Sequence, residues 1–185
     1  MSATLSTMLP LGTKASDFNL FNPALNKFQS LTELKSGKAT VIVFMCNHCP
    51  YVIHVSKTLV EVSDKYMPLG VSFIGINSND VSKYPSDSPE NMVLTAKQIG
   101  YNFPYLYDKS QEVARSYQAA CTPDFYVFDK DLLLVYRGQF DNSRPNNGTP
   151  VTGEDLTDAL DAILSGTTVS DEQIPSIGCN IKWKE

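Results

Sequence analysis

The chain is poor in histidine, basic clusters and long apolar runs. Only two histidines occur, His48 and His54, with none downstream, so a centre built from several dispersed histidines is excluded. No apolar run approaches the ~20 residues that a membrane-spanning helix needs. Nothing basic offsets the net charge of -5, which argues against nucleic-acid or anionic-membrane partners. Residues 1–13 lack the basic start and apolar core of a signal peptide, so a cytoplasmic location is expected, where cysteines are normally reduced. Internal repeats and low-complexity segments are missing as well. With 185 residues, 42% of them hydrophobic, the simplest organisation is one domain over 1–185 with a substantial core.

What is present reads as alternating strands and helices. Asp17 to Phe28 reads as a hairpin around Asn22-Pro23, and Ser30-x-x-Glu33 is a capping-box pattern opening a short helix that ends at Gly37. Val41 to Met45 is an apolar strand. Val52, Val55, Leu59, Val62 and Tyr66 then step by three and four, which is helical, and Pro68 and Gly70 close that helix. Val71 to Ile76 forms a second strand, parallel to the first. A polar loop over Asn77 to Ser88 leads to a helix starting at Ser88-Pro89 and stopping at Gly100. Phe103 to Tyr107 reads as extended and Gln111 to Ala119 as helical. Phe125 to Phe128 and Leu132 to Gln139 form an antiparallel hairpin. A last helix starts at Thr152-x-x-Asp155 and ends at Gly166, and the tail from Thr167 onward has little periodicity. This order predicts an α/β protein with a central mixed sheet and helices on both faces.

The chemistry concentrates at Val41-Ile42-Val43-Phe44-Met45-Cys46-Asn47-His48-Cys49-Pro50, where a strand hands a dithiol to a helix. A Cys-x-x-Cys in that setting reads as a redox pair rather than as two small core residues or half of a disulfide scaffold. Exchange needs one thiolate to attack and a second thiol to resolve the mixed disulfide. Cys46 is assigned as the nucleophile facing solvent, and Cys49 as the resolver one turn inside. A free thiol, with a pKa of about 8.5, is only a few per cent ionised at pH 7. A helix N-terminus stabilises an anion by up to about 2 kcal/mol, enough to bring such a thiol close to half ionised. His48 as an imidazolium favours the thiolate further and makes the couple more oxidising, about 30 mV for each 1.4 kcal/mol. Pro50 falls in the first helical turn, where its missing N–H does little harm.

Cys46-Asn47-His48-Cys49 after an apolar strand, with Cys121-Thr122-Pro123-Asp124-Phe125 before a second hairpin, resembles the thioredoxin superfamily. The likeness is greatest to its redoxin branch (alkyl hydroperoxide reductase/thiol-specific antioxidant), to a group carrying Cys-Asn-His-Cys-Pro-Tyr and an ending like Gly178-Cys179-Asn180-Ile181-Lys182-Trp183. It runs from about Leu11 to the C-terminus. The resemblance implies a thioredoxin-like fold with an N-terminal hairpin and an extra helical insertion, a core over about 11–166, and a tail over 167–185 packed on the body. It implies a thiol–disulfide oxidoreductase with antioxidant activity, acting on protein or small-molecule disulfides with a thiol reductant and no cofactor. Pro123 is then a cis-proline opposite the dithiol. Thr122 beside it would present its backbone to a substrate strand, with Asn47 also placed for substrate binding. The chain departs from thioredoxin in having Met45 where a Trp is usual, Asn47-His48 instead of Gly-Pro, and no acid within Val41–Met45 to take the resolver's proton.

Cys121 and Cys179 are candidate auxiliary thiols, each with a plainer reading as a small buried residue. The tail would pack through Ile177, Ile181 and Trp183. His54 reads as a helix-surface residue. Two alternatives compete with the oxidoreductase. A thiol peroxidase should carry Pro-x-x-x-Thr-x-x-Cys, but Ala39 and Val43, or Ile42 and Cys46, stand at those positions. A Cu- or Zn-binding module suits two cysteines and a histidine, but needs further ligands from Cys121 or Cys179. No resident metal is expected, and oligomeric state is not encoded in any visible pattern.

Overall fold

The computed structural model describes residues 3–185; Met1 and Ser2, within the domain expected over 1–185, lie outside them. In chain order it builds β1 (Ala3–Leu5), β2 (Asn19–Asn22), β3 (Lys27–Ser30), α1 (Leu31–Leu34), β4 (Ala39–Phe44), α2 (Pro50–Tyr66), β5 (Val71–Asn77) and α3 (Pro89–Ile99). There follow β6 (Tyr105–Tyr107), α4 (Glu112–Ser116), β7 (Cys121–Thr122), β8 (Asp124–Asp129), β9 (Leu134–Gly138), α5 (Glu154–Ser165) and β10 (Ile177–Asn180).

The central sheet has seven strands in the order β3-β2-β6-β5-β4-β8-β9. β4 pairs parallel with β5 and antiparallel with β8, so the sheet is mixed as expected. Successive side chains of a strand point to opposite faces. In β4, Val41 and Val43 therefore join a core with Val52, Val55 and Leu59 of α2, Met92 of α3 and Leu156 of α5. Ile42 and Phe44 join a second core, on the other face, with Leu31 of α1 and Ala114 of α4. Being buried on both sides, β4 holds its C-terminal end, and the dithiol that follows, in one place.

Local signals set most boundaries. Ser30 accepts from the Glu33 N–H while the Glu33 carboxylate accepts from the Ser30 N–H, completing the capping box. Ser88 caps α3, and Gly100, in the left-handed region at φ 91°, ends it. Other boundaries differ from the sequence reading. α1 stops at Leu34, short of Gly37, and α4 covers Glu112–Ser116, bracketed by Gln111 and Gln118 at positive φ. α5 begins after Gly153, because Asp141 reaches across to take the Thr152 and Gly153 N–H groups at 2.7 Å each. The tail is not irregular: β10 pairs with β1 and β7 in a second, three-stranded sheet. Among the described residues no helix is long and apolar enough to cross a membrane.

Candidate active site

β4 ends at Phe44 and α2 starts at Pro50, so Cys46-Asn47-His48 form the connecting turn and Cys49 is the N-cap residue of α2. The sequence reading put Cys49 inside the helix and Cys46 at its solvent-facing start. Instead Pro50 takes the first helical position, where its fixed φ is pre-set for the helix. Both sulfurs are covered: Cys46 is 2% exposed and Cys49 0%. The Thr122–Pro123 peptide is cis, as expected. Thr122 faces the pair from the other side. Its hydroxyl lies 3.6 Å from Cys46 Sγ, and its carbonyl oxygen 3.1 Å from Cys49 Sγ.

The backbone of Thr122 is not open to a substrate strand. β10 pairs antiparallel with β7 and sets Cys179 opposite Thr122 and Asn180 opposite Cys121. The approach is so close that a Cβ on Gly178 would collide with the Thr122 carbonyl. The chain's own C-terminal strand thus takes the edge that the resemblance assigns to substrate. Cys179, 3% exposed, lies in the same buried cluster as Cys46 and Cys49. Cys121 faces away, with its sulfur 3.8 Å from the Pro123 carbonyl and 3.9 Å from that of Ser176.

The dithiol shares one proton. The hydrogen bond to Cys49, burial and the nearby Asp87 carboxylate push the Cys46 thiol well above the usual range. The same bond, accepted from Cys46, is the main cause holding Cys49 down to about 4, with help from Cys179, Thr122 and the Val52 backbone in the first turn of α2, and against its burial. Passing the proton to Cys49 makes that thiol a donor to the Thr122 carbonyl at 3.1 Å. It leaves a Cys46 thiolate facing the Thr122 hydroxyl. Burial, above all, pushes the thiols of Cys121 and Cys179 up.

The sequence profile of the AhpC/TSA family matches residues 11–137, well over half of the chain. The chain belongs to the AhpC/TSA family. No curated protein matches it. Among solved structures it is similar to an uncharacterised conserved protein of Geobacillus kaustophilus, at 59% identity and a TM-score of 0.98 over 100% of this chain and 97% of that one. A hypothetical protein of Sinorhizobium meliloti 1021 is 45% identical, with a TM-score of 0.95 over 98% of each chain. A thiol:disulfide interchange protein of Chlorobium tepidum is 20% identical, with a TM-score of 0.64 over 84% of this chain and 99% of that one, a likeness of fold. This AhpC/TSA protein therefore has the thioredoxin-like fold and is an oxidoreductase.

Within this redoxin the residues between the cysteines are held by a buried acid that the sequence reading missed. Asp87, 0% exposed, accepts from the Asn47 N–H at 2.8 Å and from the Asn79 amide at 2.7 Å, and its Oδ2 lies 2.8 Å from His48 Nδ1. Tyr84 stacks on the His48 ring, with centroids 5.7 Å apart. Asn47 is thereby tied down: its amide donates to the Ser86 carbonyl and its oxygen accepts from Tyr105 at 3.0 Å, so it braces the turn. Asp87 ends a polar loop, and nothing in its neighbours marks it as buried; the only hint is its place just before the Ser88-Pro89 helix start. His54 lies apart, 3.0 Å from the Ser143 hydroxyl. Cys46, His48 and Asp87 bring donor atoms within 4.8 Å of one another, a sulfur–nitrogen–oxygen set of the type that zinc accepts. Both Asp87 oxygens, however, already accept hydrogen bonds from Asn47 and Asn79, which suits a brace better than a ligand.

Proposed function

We propose that the protein is a thiol–disulfide oxidoreductase working through the Cys46–Cys49 couple. The observation that carries this reading is the gathering of both sulfurs on Thr122, whose hydroxyl lies 3.6 Å from Cys46 Sγ and whose carbonyl oxygen lies 3.1 Å from Cys49 Sγ. In the forward reaction the shared proton moves to Cys49 and the Cys46 thiolate attacks one sulfur of a substrate disulfide. A mixed disulfide forms and one substrate thiolate leaves. Deprotonated Cys49 then attacks Cys46, closing the internal disulfide and releasing the second substrate thiol. The one proton shared by the dithiol ends on one product thiol, the other product leaves as its thiolate, and a thiol reductant returns the couple to its starting state. Thr122 supplies the hydroxyl that faces the attacking sulfur, and His48, its Nδ1 2.8 Å from Asp87, has a ring nitrogen within 4.8 Å of that sulfur.

A depression beside the motif turn, lined by Asn47, His48, Ser86, Asn91 and Leu94, is the entry this reading gives the substrate, and Cys46 lies covered behind the turn. Because β10 occupies the strand edge at Thr122, a small disulfide fits this entry with less rearrangement than a protein strand does. The test is dithiothreitol-driven reduction of insulin alongside reduction of oxidised glutathione, with rates taken above background. Cys46→Ser and Cys49→Ser should each lose activity on both substrates, whereas Cys121→Ser should keep it. Full activity in Cys46→Ser would overturn the reading. A peroxidase reading is weaker, since Ala39 and Val43, or Ile42 and Cys46 counted from Cys49, stand where that chemistry places Pro and Thr.

A further inference from the structure

The register of β10 gives Cys179 a position that packing alone does not require. It sits opposite Thr122, the residue before the cis-proline, so it lies where an incoming strand would present its own sulfur. Cys179 is buried in the same cluster as Cys46 and Cys49. Gly178, the only residue small enough to lie on the Thr122 carbonyl, presses the strand into that place. Cys121 faces the Pro123 and Ser176 carbonyls instead, so Cys179 alone extends the dithiol.

We propose that β10 is a built-in substrate strand and that Cys179 is a third redox thiol, which exchanges with the Cys46–Cys49 disulfide to form a Cys49–Cys179 disulfide. The inference rests on the redox reading of Cys46 and Cys49. The Cys179 sulfur attacks Cys49 Sγ, the Cys46–Cys49 bond breaks, and Cys46 leaves. One disulfide is lost and one is made, and the proton of Cys179 ends on Cys46, so no further oxidant is consumed. The outcome is a disulfide stored under the tail, clamping β10 to the start of α2. The freed Cys46 thiol lies on the His48 side of the site, where substrate enters.

The test is oxidation of Cys46→Ser with oxidised glutathione, followed by acid quenching, alkylation and peptide mapping. Glutathione adds to Cys49, releasing one glutathione thiol. Cys179 then displaces the second glutathione and closes a Cys49–Cys179 link. The expected result is that linked peptide together with loss of the adduct, and an adduct that persists in Cys46→Ser/Cys179→Ser. An adduct that persists on Cys49 in the single variant, or a Cys179 that remains alkylatable, overturns the proposal. Wild-type protein oxidised in parallel separates the two readings. A Cys46–Cys49 link without any Cys49–Cys179 link keeps the oxidoreductase and removes the third thiol, whereas the absence of every link removes both.

Discussion

Asp124 lies fully buried one residue after the cis-proline, with the Tyr126 hydroxyl 3.0 Å from one of its oxygens. Burial, only partly opposed by that hydroxyl and the Ala120 backbone, pushes its carboxyl up to about 8. The folded protein then keeps a proton that the unfolded chain releases near pH 4. Its contribution to stability is complete below that pH and is lost as pH rises through about 8, at up to about 1.4 kcal/mol per pH unit. In Asp124→Asn this dependence should vanish, so that wild type loses ground to the variant between pH 5 and 8. Denaturant unfolding at several pH values reads this directly, and parallel slopes for the two proteins would refute it. Asp87 acts on the site itself. Its carboxylate is one of the causes holding the Cys46 thiol up. Asp87→Asn should therefore move the midpoint of Cys46 alkylation by iodoacetamide to lower pH; an unchanged or higher midpoint would show that the carboxylate does not set that thiol.

β10 is the element on which access to the site depends, and Gly178 is its tightest point. In Gly178→Ala the new Cβ has to displace the Thr122 carbonyl or the strand itself, an overpacking that costs about 1–3 kcal/mol. The variant should melt at lower temperature and alkylate faster at Cys46; wild-type values for both would mean that β10 does not guard the dithiol. This strand was also the hardest element to read in the sequence. Four residues, Ile177-Gly178-Cys179-Asn180, carry no alternation, and both partners are distant along the chain, β1 at the opposite terminus and the two-residue β7. The features that were legible are those that chain neighbours fix. They include the α2 stripe from Val52 to Tyr66, the Ser30 and Ser88 caps, the stops at Gly100 and Gly166, and the strand that leads into the Cys46 turn. The polar run after Asn77 gave no sign that Asn77, Asn79 and Asp87 are buried, because what buries them is the packing of the C-terminal tail and the motif turn against it. Lys182, for example, donates its N–H to Asn79 and accepts from the Asp80 N–H. For the same reason Cys46 was expected to face solvent. A Cys-x-x-Cys pattern locates a dithiol at a helix start but says nothing of a strand that arrives from the other end of the chain.

At the scale of the whole molecule, the tail ties the site to the second core. Ile181, 1% exposed, packs with Ile42, Phe44 and Tyr117, and donates its N–H to the Ala120 carbonyl. Arg115 lies over the Trp183 ring, 4.5 Å from its centroid, and the Gln111 side chain bonds the backbone at Lys182 and Lys184. Ile181→Ala should cost about 2–5 kcal/mol, the range for truncating a large core side chain, and should loosen β10 at the same time. Trp183 fluorescence would follow the tail while circular dichroism follows the sheet; two separate transitions, with the tail released first, would show that the tail is not part of the cooperative fold. The most direct test of the central claim is a thiol-trapping titration of wild-type protein across a glutathione redox buffer, with all four cysteines mapped at each step. The account predicts that Cys49 loses its alkylatable thiol in one two-electron transition together with one partner thiol, Cys46 or, after exchange, Cys179, while Cys121 stays reduced. Loss of Cys49 without either partner, or all three remaining alkylatable across the whole range, would contradict it.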